Sequence, residues 1–110
     1  MFQYSSSLLK GNGLMITVER YSDRITLRGH ANYAEIGKDI VCSAVSVLVQ
    51  TLVQSVETLT ADRIEYNMQP GTVDIKFWCL SDPSKVLIDA FFIGIKGVAE
   101  SCPACVKVNE

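Results

Sequence analysis

The chain has 110 residues, a formal net charge of −2, 48% hydrophobic and 20% charged residues. That is one domain's worth of sequence, apolar enough to build a real core. The slightly acidic balance argues against a nucleic-acid binder, which needs Lys and Arg in excess to neutralise phosphates. The most apolar stretch, Val41 to Val56, is interrupted by Ser43, Ser46, Gln50, Gln54 and Ser55 at helical spacing. It therefore reads as a core helix rather than a membrane span.

Residues 1–14 are rich in Ser and Gly, have no clean period and carry Lys10 as their one charge. They read as an upstream extension or an expression remnant, with no apolar block of signal-peptide length, so a cytoplasmic protein is expected. The folded domain is expected over 15–110. Met15 to Tyr21 alternates with Ile16 and Val18 on one face, Ser22-Asp23 turns, and Arg24 to Arg28 alternates with Ile25 and Leu27 inward. This predicts a β-hairpin that ends at Gly29. Residues 30–38 read as a loop containing Gly37.

Asp39 reads as an N-cap, because its carboxylate can accept the first-turn N–H groups of a helix from Ile40 to about Leu59. Val41, Val45, Leu48, Leu52, Val56 and Leu59 form its buried stripe. Arg63 to Met68 alternates with Ile64, Tyr66 and Met68 on one side. Gln69-Pro70-Gly71 turns, and Thr72 to Leu80 alternates with Val73, Ile75, Phe77 and Cys79 facing one way. Asp82-Pro83 is expected to start a second helix, as cap and first-turn proline, running to about Glu100. Gly94 and Gly97 on that helix suggest close approach to another element. Cys105 to Val108 reads as a last strand.

The order ββαββαβ implies an α+β two-layer sandwich: a mostly antiparallel sheet with both helices on one face. Tyr21 and Trp78 are expected to be exposed. The open sheet face or edge suggests a homodimer surface.

The segment Gly29-His30-Ala31-Asn32-Tyr33-Ala34-Glu35-Ile36-Gly37-Lys38-Asp39-Ile40-Val41-Cys42 holds the candidate chemistry. His30, the one imidazole in the chain, sits where a strand ends. Cys42 is expected in the first turn of a helix, three residues after its cap. There unpaired N–H groups and the positive helix end favour a thiolate and could hold an oxyanion. Asp39, Cys42 and Ser46 share a side of that helix. Asp39 can orient His30 or only cap, and Ser46 can support the thiolate or only belong to the polar face. By itself, a Cys in an apolar helix packs as a small hydrophobe, so the spacing alone leaves an inert core Cys42 open.

GHANYAEIGKDIVCSAVSVL resembles the signature of the ribosomal-processing cysteine proteases, the Prp family: Gly-His, a loop with Gly and Asp, then Ile-Val-Cys and small residues. The resemblance extends over about residues 15–110. It implies a cysteine protease that removes the N-terminal extension of a bacterial large-subunit ribosomal protein by cleavage after aromatic residues. It maps catalytic roles onto His30 and Cys42, supporting roles onto Asp39 and Ser46, and the ends of a mobile loop onto Gly29 and Gly37. It also implies a homodimer with a ribosomal protein precursor as partner, while charge, hydropathy and cysteine count give no expectation of a cofactor, metal, membrane or direct nucleic acid. The alternative is a non-catalytic ribosome-associated binding or interaction module.

Cys102-Pro103-Ala104-Cys105 departs from the family pattern. Its C-x-x-C spacing suggests dithiol chemistry, but it follows a helix instead of starting one. One such pair is short of the four ligands of a structural zinc. In a reducing cytosol, a disulfide is not expected.

Overall fold

The computed structural model describes residues 15–29 and 36–110, with residues 36–39 by backbone alone. Among them are five strands and two helices: β1 (Ile16–Arg20), β2 (Arg24–Arg28), α1 (Ile36–Leu59), β3 (Ile64–Gln69), β4 (Thr72–Phe77), α2 (Asp82–Ser101) and β5 (Val106–Asn109). The ββαββαβ order and the α+β class match the sequence expectation.

The sheet runs β3-β4-β2-β1-β5, antiparallel throughout except for the parallel β1–β5 pair. Register sets Val18 opposite Leu27, Leu27 opposite Val73, and Ile25 opposite Ile75. Opposed residues share a face, so these apolar side chains line one side together. They are fully or almost fully buried beneath the helices, with Val45, Val49, Val56, Phe92 and Ile95 packed among them. α1 covers the β3 side and α2 the β5 side. Gly94 lets the helices meet closely: a Cβ there would stand 2.7 Å from the Leu48 side chain. At Gly97 a Cβ would find open space, so close approach does not explain that glycine.

Several expectations are corrected. α1 begins at Ile36, so Asp39 lies inside the helix and does not cap it. Leu59, the last residue of α1, is exposed and does not belong to the buried stripe. Ile64, Tyr66 and Met68 do share one face, opposite Phe77, Ile75 and Val73, although Tyr66 on edge strand β3 is 46% exposed. β4 stops at Phe77, and Cys79, with φ of 55°, is exposed instead of facing the core. Ser81, not Asp82, is the N-cap of α2, in extended conformation, with Pro83 in the first turn. Residues Ile40–Leu59 of α1 are long and apolar enough, by length and composition, to cross a membrane. A third of that stretch is buried, its stripe from Val41 to Val56 belonging to the core cluster.

Candidate active site

β2 ends at Gly29, and the backbone there leaves no alternative residue. Its φ is +112°, and its N–H donates to the Gly71 carbonyl in the β3–β4 turn at 2.9 Å. A Cβ at this position would lie 2.1 Å from the Met15 carbonyl oxygen. Gly29 is thus pinned between the start of β1 and the β3–β4 turn, a demand beyond any part in loop motion. His30 follows it directly; His30 and the Asp39 side chain lie outside the described residues.

Cys42 sits in α1, 8% exposed, within the core cluster that includes Val41 and Val45. Because the helix starts at Ile36, Cys42 lies in its second turn, and Gly37 lies in its first turn instead of a loop. This changes the electrostatics expected from sequence. The N–H groups without an intrahelical partner belong to the first four residues, and the helix-end field fades within that turn. A nucleophile at Cys42 therefore depends on an adjacent base more than on the helix end. Ser46, half-buried, is one turn further along the same side.

The other two cysteines are joined. Cys102 and Cys105 form a disulfide, against the sequence expectation, because the turn after α2 brings their Cα atoms to 5.3 Å, within bridging range. Backbone bonds from the Cys105 and Val106 amides to the Cys102 carbonyl hold that turn. Paired in this way the sulfurs are not zinc ligands, and no metal-binding cluster occurs among the described residues.

A polar cluster that sequence reading missed lies where α1 and α2 meet. The Asp62 carboxylate accepts the Ser81 amide at 2.8 Å, the Ser81 hydroxyl at 2.6 Å and the hydroxyl of fully buried Ser84 at 2.5 Å. The Ser81 hydroxyl, then that of Ser84, then the Ser81 amide hold the Asp62 carboxyl below its ordinary value. Asp62, in the loop between α1 and β3, thus anchors the Ser81 N-cap and the first turn of α2. Its signal was Asp62 two residues before a short strand, which reads as a turn residue. A separate hollow of about 400 Å³ is lined by Arg20, Tyr21, Phe77, Trp78, Cys79 and Lys85 among others, and does not include Cys42.

Residues 15–107 match the model of the family described as cysteine protease Prp. The chain belongs to that family. It is accordingly a cysteine protease. The ribosomal processing cysteine protease Prp of Mycoplasma genitalium is 32% identical over 101 residues, covering 87% of this chain and 96% of the relative. The crystal structure of SMU.848 from Streptococcus mutans aligns with a TM-score of 0.76 at 32% identity, over 88% of this chain and 94% of that one. The essential ribosomal processing protease Prp from S. aureus, in complex with a covalently linked product peptide, aligns with a TM-score of 0.76 over 87% and 97% of the two chains. At 19% identity that last likeness speaks for the shared Prp fold alone.

Proposed function

We propose that this chain removes the N-terminal extension of a bacterial large-subunit ribosomal protein, cutting after an aromatic residue, in the cytoplasm and as a homodimer. The observation that carries this reading is the placement of Cys42. It is a thiol near the start of a core helix, inside the family-matched segment and twelve residues after the one imidazole. The name of the Mycoplasma relative supports the substrate class.

His30 takes the proton from the Cys42 thiol, and the thiolate attacks the carbonyl carbon that follows the aromatic side chain. Collapse of the tetrahedral adduct expels the amine, which takes the proton from His30, and leaves a thioester on Cys42. Water, deprotonated by His30, hydrolyses the thioester and frees the thiol. Asp39 and Ser46 support the pair, and the segment between Gly29 and the start of α1 at Ile36 admits substrate.

Mass spectrometry of the unprocessed ribosomal precursor mixed with the protein, beside Cys42→Ala and His30→Ala, tests this. Cleavage at one site after an aromatic residue, abolished in both variants, is expected. An intact precursor with folded, reduced wild type refutes the substrate assignment and favours the non-catalytic binding module. Cleavage that survives Cys42→Ala refutes the nucleophile.

A further inference from the structure

β1 starts where the chain leaves β2 for His30. The Met15 carbonyl oxygen lies so close to Gly29 that a Cβ there would stand 2.1 Å from it, and the next amide, that of Ile16, donates to the Cys105 carbonyl at 2.8 Å. Gly29 in turn donates its amide to the Gly71 carbonyl at 2.9 Å. These contacts fix the root of residues 1–14 beside the root of the segment that runs from Gly29 to α1. Length lets the two segments meet. Tyr4 is eleven positions before Met15, a reach of about 36 Å when extended. Ile36 is seven positions after Gly29, and α1 then advances about 1.5 Å per residue, so Cys42 lies at most about 34 Å from Gly29.

The sequence before Met15 has the chemistry of the substrate class proposed above, an N-terminal extension with aromatic residues. Phe2 and Tyr4 stand two positions apart, so they fall on one side of a chain bound in extended form. Ser5, Ser6 and Ser7 follow, and their small side chains do not crowd the bond after Tyr4. That bond has an aromatic residue on its acyl side and a second one two positions upstream. The bond after Phe2 has a single residue upstream to bind, so Tyr4–Ser5 is the better site.

We propose that the chain cuts its own N-terminal extension in cis, between Tyr4 and Ser5. The inference rests on the protease reading above and adds a second substrate to it. The Cys42 thiolate adds to the Tyr4 carbonyl carbon. The bond to the Ser5 nitrogen then breaks as that nitrogen takes the proton that His30 removed from the thiol. Residues 1–4 remain on Cys42 as a thioester, which water hydrolyses to a tetrapeptide with a free carboxylate, returning the thiol. A tether of this length supplies an effective concentration in about the millimolar range, far above that of a second chain at micromolar concentration.

Intact-mass spectrometry of the purified full chain, beside Cys42→Ala and Tyr4→Ala, tests this. Wild type is expected to have lost residues 1–4 and to begin at Ser5, and neither variant to begin there. Circular dichroism of both variants is expected to match wild type. Tyr4→Ala, a change before β1, is also expected to cut the ribosomal precursor still, which separates a lost site from a lost fold. Wild type added at micromolar concentration to full-length Cys42→Ala is expected to shorten it on the order of a hundredfold more slowly than it shortens itself. Equal rates overturn the tethered step. A Cys42→Ala chain that already begins at Ser5 as purified overturns the self-cleavage, because another peptidase made the cut. A full-length wild type that nonetheless cuts the ribosomal precursor overturns self-cleavage and leaves the proposed function standing. A full-length wild type that leaves the precursor intact overturns both.

Discussion

Replacing Gly29 by alanine puts a methyl group where the fold has a backbone oxygen. The Cβ would stand 2.1 Å from the Met15 carbonyl oxygen, against a limit of 3.0 Å that real Cβ atoms essentially never cross. Something must move by about 0.9 Å, the difference of those two distances. Holding an L side chain at φ +112° costs about 2 kcal/mol. Shifting Met15 also disturbs the adjoining bond from the Ile16 amide to the Cys105 carbonyl, 2.8 Å long, worth about 1 kcal/mol. The sum is about 3 kcal/mol before any compression energy, and at about 4 °C per kcal/mol for a chain of this size the midpoint falls by roughly 12 °C. Thermal melts of wild type and Gly29→Ala followed by circular dichroism give the answer directly. Cleavage activity is expected to fall further than stability explains, because His30 follows Gly29 directly in the chain. A variant melting within about 3 °C of wild type would show that neither the dihedral nor the contact constrains this site as described.

Two further outcomes are expected. Asp62 has its folded-state pKa lowered, chiefly by the Ser81 hydroxyl. Its contribution is therefore complete above the unfolded carboxylate value, near 3.9, and is lost as pH falls through the lower folded value. Urea midpoints should separate wild type from Asp62→Asn equally at pH 5 and pH 7, with the gap closing below about pH 4; an equal gap at pH 3 refutes the assignment. Alkylation of the denatured protein without reductant should label two of the four cysteines, Cys42 and Cys79, and all four after reduction. Four labels without reductant would remove the Cys102–Cys105 bridge.

Local patterns carried most of the architecture. Alternation located β1 and β2 to within a residue, and the Asp82-Pro83 pair located the start of α2. The start of α1 was misread because Asp39 is a good cap and Gly37 a good loop residue, while helix formation from Ile36 depends on more than either preference. Cys79 looked inward because alternation was continued past Phe77, where the backbone turns to positive φ. The Cys102–Cys105 bridge was dismissed on compartment grounds, whereas geometry at the helix end decides it. The Asp62 cluster joins residues about twenty apart, and a periodicity argument has no access to such a meeting. The placement of Cys42 in a core helix was legible, but its depth within that helix was not.

The parallel pairing of β1 with β5 also bears on how the chain folds. The β1–β2 and β3–β4 hairpins each close over a few residues, while Ile16 meets Val106 across ninety, the same separation that Arg20 spans to reach Glu110. Bringing such distant segments together carries the largest loop-closure entropy in the sheet, which slows folding relative to a design of local hairpins. The Cys102–Cys105 bridge does not relieve this, since it closes a ring only three positions long and leaves the ninety-residue span untouched. The edge formed by β5 is therefore the last part of the sheet to assemble and the first whose amides open to solvent exchange.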